Sequence, residues 1–344
     1  MRTLVGEKVL PLGFEIGTGD PVIIPVNHLA VTGQTQMAGK TTTLEALVAR
    51  SGLRAVAFVT KRGEGAFRGG RHIPPYFRER ADWQFVAAIL EATLRERLKF
   101  ERAWIMRASK GARTLADVQR NVREAMKTAK GISANVYLTL DEYLNIVVPQ
   151  IDAVLRIGGA KELELEPGLN VMDLTRYTME MQALVIRSVL ERVYGKEDGV
   201  VTIIPEAWEF LPQRRGSPVL LAAEELIRKG AASRNFVWLD SQDIAAVNKA
   251  VLKSVIVWLL GVQREANEVK RTLAHIPTGT PRPKPADIMG LELGQFIACW
   301  GGRVVRVYVQ PAWLDADTAR RVARGELAPM NLEGPRERNR RVTS

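Results

Sequence analysis

Short apolar runs of strand length alternate along this chain with longer stretches whose apolar positions return every three to four residues. Leu29–Val31 is one such run, and a helical pattern follows it over TTLEALVA, Thr42–Ala49. RAVAFVT, Arg54–Thr60, is nearly all apolar, as a parallel strand covered on both faces requires. The same reading gives strands at GLNVMDL, VVTIIP (Val200–Pro205), NFVWLDSQ and SVIVWLLG. Helices fall at 176–193, 220–231, 244–252 and 264–275, the first with Leu184, Val185, Val189 and Leu190 on one face. Strands alternating with helices predict an α/β fold with a mainly parallel sheet covered on both sides. QFIACWGGRVVRVYVQP reads as a C-terminal β-hairpin turning at Gly301-Gly302 on the sheet edge.

From about Phe77 to Lys130 the pattern is helical, with Phe85, Ile89, Leu90, Leu94 and Leu98 at helical spacing and a break at Lys110-Gly111. The stretch from there to Pro167 has no clear period. The expected organisation is a lead-in, glycine loop and first strands over 1–76, then a mainly helical basic insert over 77–166. The remainder of the core spans 167–313, and a basic, partly disordered tail spans 314–344.

Composition narrows the class. With 344 residues and 46% apolar content the chain can bury one large core or two modest ones. Its apolar runs, such as Val255–Leu260, are far shorter than a membrane helix needs, and MRTLVGEKVLPLG carries no secretion signal. One cysteine, Cys299 in the apolar FIACW, excludes an internal disulfide and reads as an inert buried thiol. A cytoplasmic protein with no membrane association is therefore expected. The net charge of +11 is uneven: 18 Lys plus Arg face 8 Asp plus Glu between Arg54 and Lys130. Clustered cations suit a phosphate-backbone partner, because each one that meets a phosphate releases a counterion.

Between the first strand and helix lies VTGQTQMAGKTTT, Val31–Thr43. Its end fits the phosphate-loop spacing G-x-x-x-x-G-K-[ST], but Gln34 occupies the first glycine position and Gly33 stands one residue early. In such a loop backbone N–H groups at a helix N-terminus point at phosphates. Gly33, Thr35, Ala38, Gly39, Lys40, Thr41 and Thr42 are the cradle candidates. Lys40 would reach the β- and γ-phosphates of ATP, and the Thr41 hydroxyl would ligate Mg2+. In IIPEAWEFLP, Glu206 follows a strand at the place where a carboxylate can orient attacking water. In FVWLDSQD, Gln242 ends a strand where its amide can sense the γ-phosphate.

The order VTGQT…GKTTT, a strand with a KRGE loop, GLNVMDLT plus a helix, IIPEAWEFLP and FVWLDSQD resembles the HerA/FtsK superfamily of P-loop ATPases. The HerA branch shows strand-DEAHRFLP and strand-TQ motifs, and IGTGDPVIIP is similar to its lead-in. The likeness runs from about Ile16 to Pro311. It implies a RecA-like core in a ring-forming, usually hexameric, motor on double-stranded DNA, with ATP bound between subunits. It implies an arginine acting in trans, for which Arg234 and then Arg228 are the candidates. Exposed loop cations at Arg214-Arg215 and Lys61-Arg62 are candidate pore contacts.

The chain departs from that pattern at Gln34, at Pro205 where the family has a metal-shell Asp, and ahead of Leu29, where no room is expected for the HerA β-barrel. The missing barrel leaves a nuclease or other DNA-processing partner as an open expectation. Pro205 favours an alternative, an ATP-binding ring or scaffold that assembles on DNA with little or no hydrolysis. A small-molecule kinase on the same loop fits less well with the basic insert.

Overall fold

A four-residue strand, LAVT, organises the molecule because every one of its residues is buried and it must therefore pair on both edges. The computed structural model describes residues 9–34, 37–63, 66–94, 97–156, 162–213, 217–276 and 282–329. Its strands are β1 (Val9–Glu15), β2 (Pro21–Pro25), β3 (Leu29–Thr32), β4 (Arg54–Val59), β5 (Arg71–His72), β6 (Gly168–Asp173), β7 (Val200–Ile204), β8 (Phe236–Ser241), β9 (Val257–Gly261), β10 (Gln295–Trp300) and β11 (Arg303–Val309). They form one 11-stranded sheet in the order β2-β1-β11-β10-β9-β3-β8-β7-β4-β6-β5.

From β9 to β5 the strands run parallel, with β3 between β8 and β9. Leu29 pairs with Trp238 and Thr32 with Ser241, so the C-terminal ends of β3 and β8 are level. The apolar run of β7 is buried at every position, as are those of β8 and β9. Helices cover both faces. At roughly 1.5–3 kcal/mol for each fully buried large apolar side chain, this layer dominates the folding energy.

The mixed α/β class and the mainly parallel sheet agree with the sequence. The hairpin of β10 and β11 forms, but it does not lie at the sheet edge. β10 pairs antiparallel with β9, β11 pairs onward with β1, and β2 is the outermost strand. The segment before Leu29 thus extends the central sheet itself. In β1 the register shifts between Pro11 and Gly13, and a Cβ at Gly13 would collide with the Tyr308 carbonyl oxygen. Pro and Gly there serve a bulge and a close backbone approach, although in sequence they read as strand breakers.

Between β5 and β6 lie helices Trp83–Leu94, Arg102–Ala108, Leu115–Met126 and Ile132–Arg156. The last is 25 residues long, with Pro149 inside it, in a stretch that has no clear period in sequence. Val136, Leu140, Leu144 and Val147 supply its buried stripe. A helix at Ala316–Ala323 packs its apolar side on β1 and β11, within the expected tail; the EGPRERNRRVTS segment lies outside the described residues. Among the described residues no helix is long and apolar enough to cross a membrane. Cys299 is buried, and burial pushes its thiol up to about 12.

Candidate functional site: a phosphate loop facing two acidic strand ends

β3 ends at Thr32, and the helix Lys40–Ser51 begins directly after Gly39, which takes the left-handed conformation at φ +77°. The intervening loop turns on Gly33, at φ +151°, a region that L side chains avoid. A Cβ there would stand 2.6 Å from the Ala38 Cβ. Gly33 is therefore required by both backbone and space, one position before the usual first glycine. Helix N-terminal N–H groups lack intrahelical partners, and Gly39 offers no side-chain cap, so they stay available to an anion.

Lys40 is buried and points back over the loop. Its Nζ donates to the Gly33 carbonyl at 3.1 Å and lies 3.3 Å from Asp240 Oδ1. Asp240 stands directly opposite Val31 in the β3–β8 ladder and is itself buried. Removing one partner of such a buried pair typically costs about 3–5 kcal/mol, so the pair fixes the lysine firmly. Sequence reading treats FVWLDSQD for its Gln242 and passes over Asp240. The signal that finds it is an acidic residue inside an otherwise apolar parallel strand.

Gln242 follows the end of β8 and is exposed; its carbonyl accepts from Gln263 Nε2 at 3.0 Å. Gln263 also donates to Thr32 Oγ1 at 3.3 Å and accepts from Thr272 Oγ1 at 3.2 Å. This buried amide ties the ends of β3 and β8 to the segment after β9. Thr41 and Thr42 lie in the first turn of the loop helix, and Ala38 is fully buried. Thr35 lies outside the described residues.

Glu206 follows β7 across Pro205, and it adopts φ +43° as the residue capping the short helix Ala207–Phe210. A non-glycine residue in the left-handed region costs roughly 1–3 kcal/mol and marks a position held by its surroundings. The holders are visible. Glu206 Oε1 is 3.0 Å from Lys61 Nζ, and Oε2 accepts from Trp208 Nε1 at 2.9 Å. Lys61 also meets Glu209 at 3.4 Å. Partial burial pulls the Lys61 ammonium down, but the hydrogen bond and charge of Glu206, helped by Glu209, win and hold it above its usual range. The turn carrying Lys61 is fixed from below, because Gln182 Nε2 donates to Thr60 O at 3.1 Å and to Leu174 O at 3.0 Å.

Lys61, expected as a pore cation, is thus committed to the two glutamates. Arg62 is exposed at the same turn, and Arg214-Arg215 lie outside the described residues. Arg228 is exposed near the end of the helix Pro218–Lys229, 3.7 Å from Glu224. Arg234 is exposed at φ +56° just before β8, held there by its neighbour Asn235, whose Nδ2 donates to Val193 O at 3.0 Å and whose Oδ1 accepts from Val200 N–H at 3.0 Å. Arg234 therefore sits a full strand length, roughly 20 Å, from the loop end of β8, and cannot serve this chain's own loop.

The described part of the loop suits a phosphate group, since the helix start supplies N–H groups and Lys40 supplies the charge. Mg2+ fits by donor type, since Thr41, Asp240 and Glu206 all carry hard oxygens. Among the described residues no group of three or more His, Cys, Asp or Glu side chains gathers to hold a metal. A metal here would take part of its shell from the nucleotide, which is how Mg2+ is commonly bound.

No protein-family model and no curated protein sequence matches the chain. Solved structures do. VirB4 of Thermoanaerobacter pseudethanolicus is similar at TM-score 0.70 and 14% identity over 90% of this chain and 98% of that one. The bacterial conjugative coupling protein TrwBdeltaN70, in a trigonal form with sulphate, gives TM-score 0.58 and 12% identity over 90% and 96%. Plasmid coupling protein TrwB with the non-hydrolysable GTP analogue GDPNP gives 0.55 and 12% over 85% and 88%. These likenesses show the fold, a RecA-like α/β core built on a large, mostly parallel sheet.

Proposed function

We propose that the chain is the motor subunit of a homo-oligomeric ring, in the simplest case a hexamer, that hydrolyses ATP to translocate on double-stranded DNA. The observation that carries this reading is the placement of Lys40 at the glycine turn with Glu206 poised after a strand of the same parallel sheet. Lys40 moves from Gly33 O and Asp240 to the β- and γ-phosphates. Gly39, Lys40, Thr41 and Thr42 present their N–H groups from the helix start. Bound Mg2+ would neutralise charge on the phosphates, with the Thr41 hydroxyl among its ligands.

Glu206 holds the attacking water and takes its proton as the water oxygen bonds to the γ-phosphorus and the bond to ADP breaks. Gln242, exposed at the end of β8, reads the γ-phosphate. Arg234, with Arg228 as the second candidate, reaches the site of the next subunit, where it stabilises charge on the transferring phosphoryl. That role suits an arginine that is exposed and far from its own loop.

Duplex DNA as the partner is supported by the basic helices between β5 and β6. Lys99, Arg107, Lys110, Arg113 and Lys130 are exposed there, beside Phe100 at 58% exposure and Trp104. A nuclease or other DNA-processing partner would dock on such a motor without altering its chemistry. Displacement of a triplex-forming strand from duplex DNA, dependent on ATP and lost in Lys40→Ala, tests the reading.

Pro205 favours a second reading, in which ATP drives ring assembly on DNA without turnover. Electron microscopy showing nucleotide-dependent rings, together with no phosphate release under any condition, would select it.

A further inference from the structure

We infer that Asp240 supplies the metal-shell carboxylate that Pro205 cannot. The inference deepens the ATP-binding reading above and rests on it. Pro205 directly follows β7, which is not adjacent to the loop strand; β8 lies between them. Asp240 is on β8, opposite Val31, one strand closer to the phosphate loop. A short side chain from that strand demonstrably reaches the loop, since its carboxylate lies 3.3 Å from Lys40 Nζ.

Charge balance governs the exchange of partners when nucleotide binds. Asp240 and Lys40 are both buried, at 9% and 8% exposure, and each neutralises the other. When Lys40 turns to the phosphates, the carboxylate at the loop gives up this ion pair, and a buried carboxylate that loses its cation favours another in its place. A divalent cation between the phosphates and Asp240 fills that place. Mg2+ keeps several waters, and a carboxylate that accepts hydrogen bonds from them orients the ion without replacing them. The acidic group has moved from the end of β7 to β8, and the donor type is unchanged. Asp240 thereby has two partners in turn: the lysine before nucleotide binds and the hydrated metal afterwards.

The test measures Mn2+ affinity for the full-length protein saturated with ATPγS, by electron paramagnetic resonance, alongside ATPγS affinity in EDTA. Asp240→Asn is expected to weaken Mn2+ by about 10–100-fold while ATPγS binding in EDTA is kept or improved. Adding Pro205→Asp to Asp240→Asn is expected to restore Mn2+ affinity. Unchanged Mn2+ affinity in Asp240→Asn overturns the assignment and leaves Asp240 as a lysine clamp only. Should Asp240→Asn fail to fold, Asp240→Glu decides: a shifted Mn2+ affinity supports the assignment and an unchanged one overturns it. A wild-type protein that binds no ATPγS even in EDTA overturns the nucleotide reading itself and this assignment with it.

Discussion

Lys61 Nζ stands 3.0 Å from Glu206 Oε1 while Trp208 Nε1 donates to the other carboxylate oxygen, so both oxygens of the water-positioning candidate are engaged. In the proposed motor Glu206 must give up one of these partners before it can hold water. Lys61 is the partner whose side chain can swing away, because it is 37% exposed while its turn stays fixed. Lys61→Met is expected to raise DNA-independent ATP hydrolysis. A partly exposed pair is worth up to about 1 kcal/mol, which corresponds to roughly fivefold in rate. Steady-state phosphate release without DNA reads the change, and a fall in rate would instead make Lys61 a supporting group.

Gly33→Ala is expected to cost nucleotide affinity rather than to pass unnoticed as a small change. Its φ of +151° and the contact of the new methyl with Ala38 force the loop to shift. The strain is of order 1–3 kcal/mol, and a tenfold loss of ATPγS affinity corresponds to about 1.4 kcal/mol. Calorimetric titration in EDTA isolates this loop effect from any metal. Gln34→Gly, which restores the usual spacing, is expected to leave affinity nearly unchanged because Gly33 already makes the turn.

How far the sequence discloses the molecule depends on what each segment asks of its neighbours. β4, β6, β7, β8 and β9 read directly, since strands buried on both faces must be apolar throughout. β1 does not, because Pro11 and Gly13 have meaning only against the backbones of β2 and β11. The helix Ile132–Arg156 is masked by Ile146-Val147-Val148-Pro149, which has strand-like composition, and tertiary packing of Val136, Leu140 and Leu144 overrides it. At the site, Lys40 and Glu206 stand out by motif, whereas Asp240 and Lys61 acquire significance only from what they touch across strands.

His28 gives the fold a pH dependence of known sign. It is 3% exposed, its Nδ1 accepts from Val237 N–H at 3.0 Å, and burial lowers its pKa from 6.5 to about 4. Above pH 6.5 the imidazole is neutral in both folded and unfolded chains and costs nothing. Between 6.5 and about 4 only the unfolded chain takes the proton, so stability falls as pH falls, by about 1.4 kcal/mol per unit and about 3 kcal/mol in all. Urea unfolding across that range is expected to show a steeper slope in the wild type than in His28→Gln, the difference being the histidine's share, since lowered carboxyls such as Asp173 add a slope of the same sign at the acid end.

Arg234 acting across a subunit interface predicts complementation between two dead proteins. Lys40→Ala removes a subunit's own loop, and Arg234→Ala removes what it gives its neighbour, a loss of about a thousandfold or more in turnover for arginines of this kind. Mixed before ring assembly, the two are expected to regain part of the wild-type rate at the interfaces that combine an intact loop with an intact arginine. A mixture as inactive as its components would exclude Arg234, and the same experiment with Arg228→Ala would then be decisive for the second candidate.

Phosphate release from MgATP by wild type and Glu206→Gln, with and without duplex DNA, tests hydrolysis by this site most directly. Wild-type turnover that duplex DNA stimulates, with a fall of about 10²–10⁴-fold in Glu206→Gln and ATPγS binding retained, is the expected result. Equal rates for the two proteins would contradict the role of Glu206. No turnover by the wild type, with or without DNA, would contradict the motor itself.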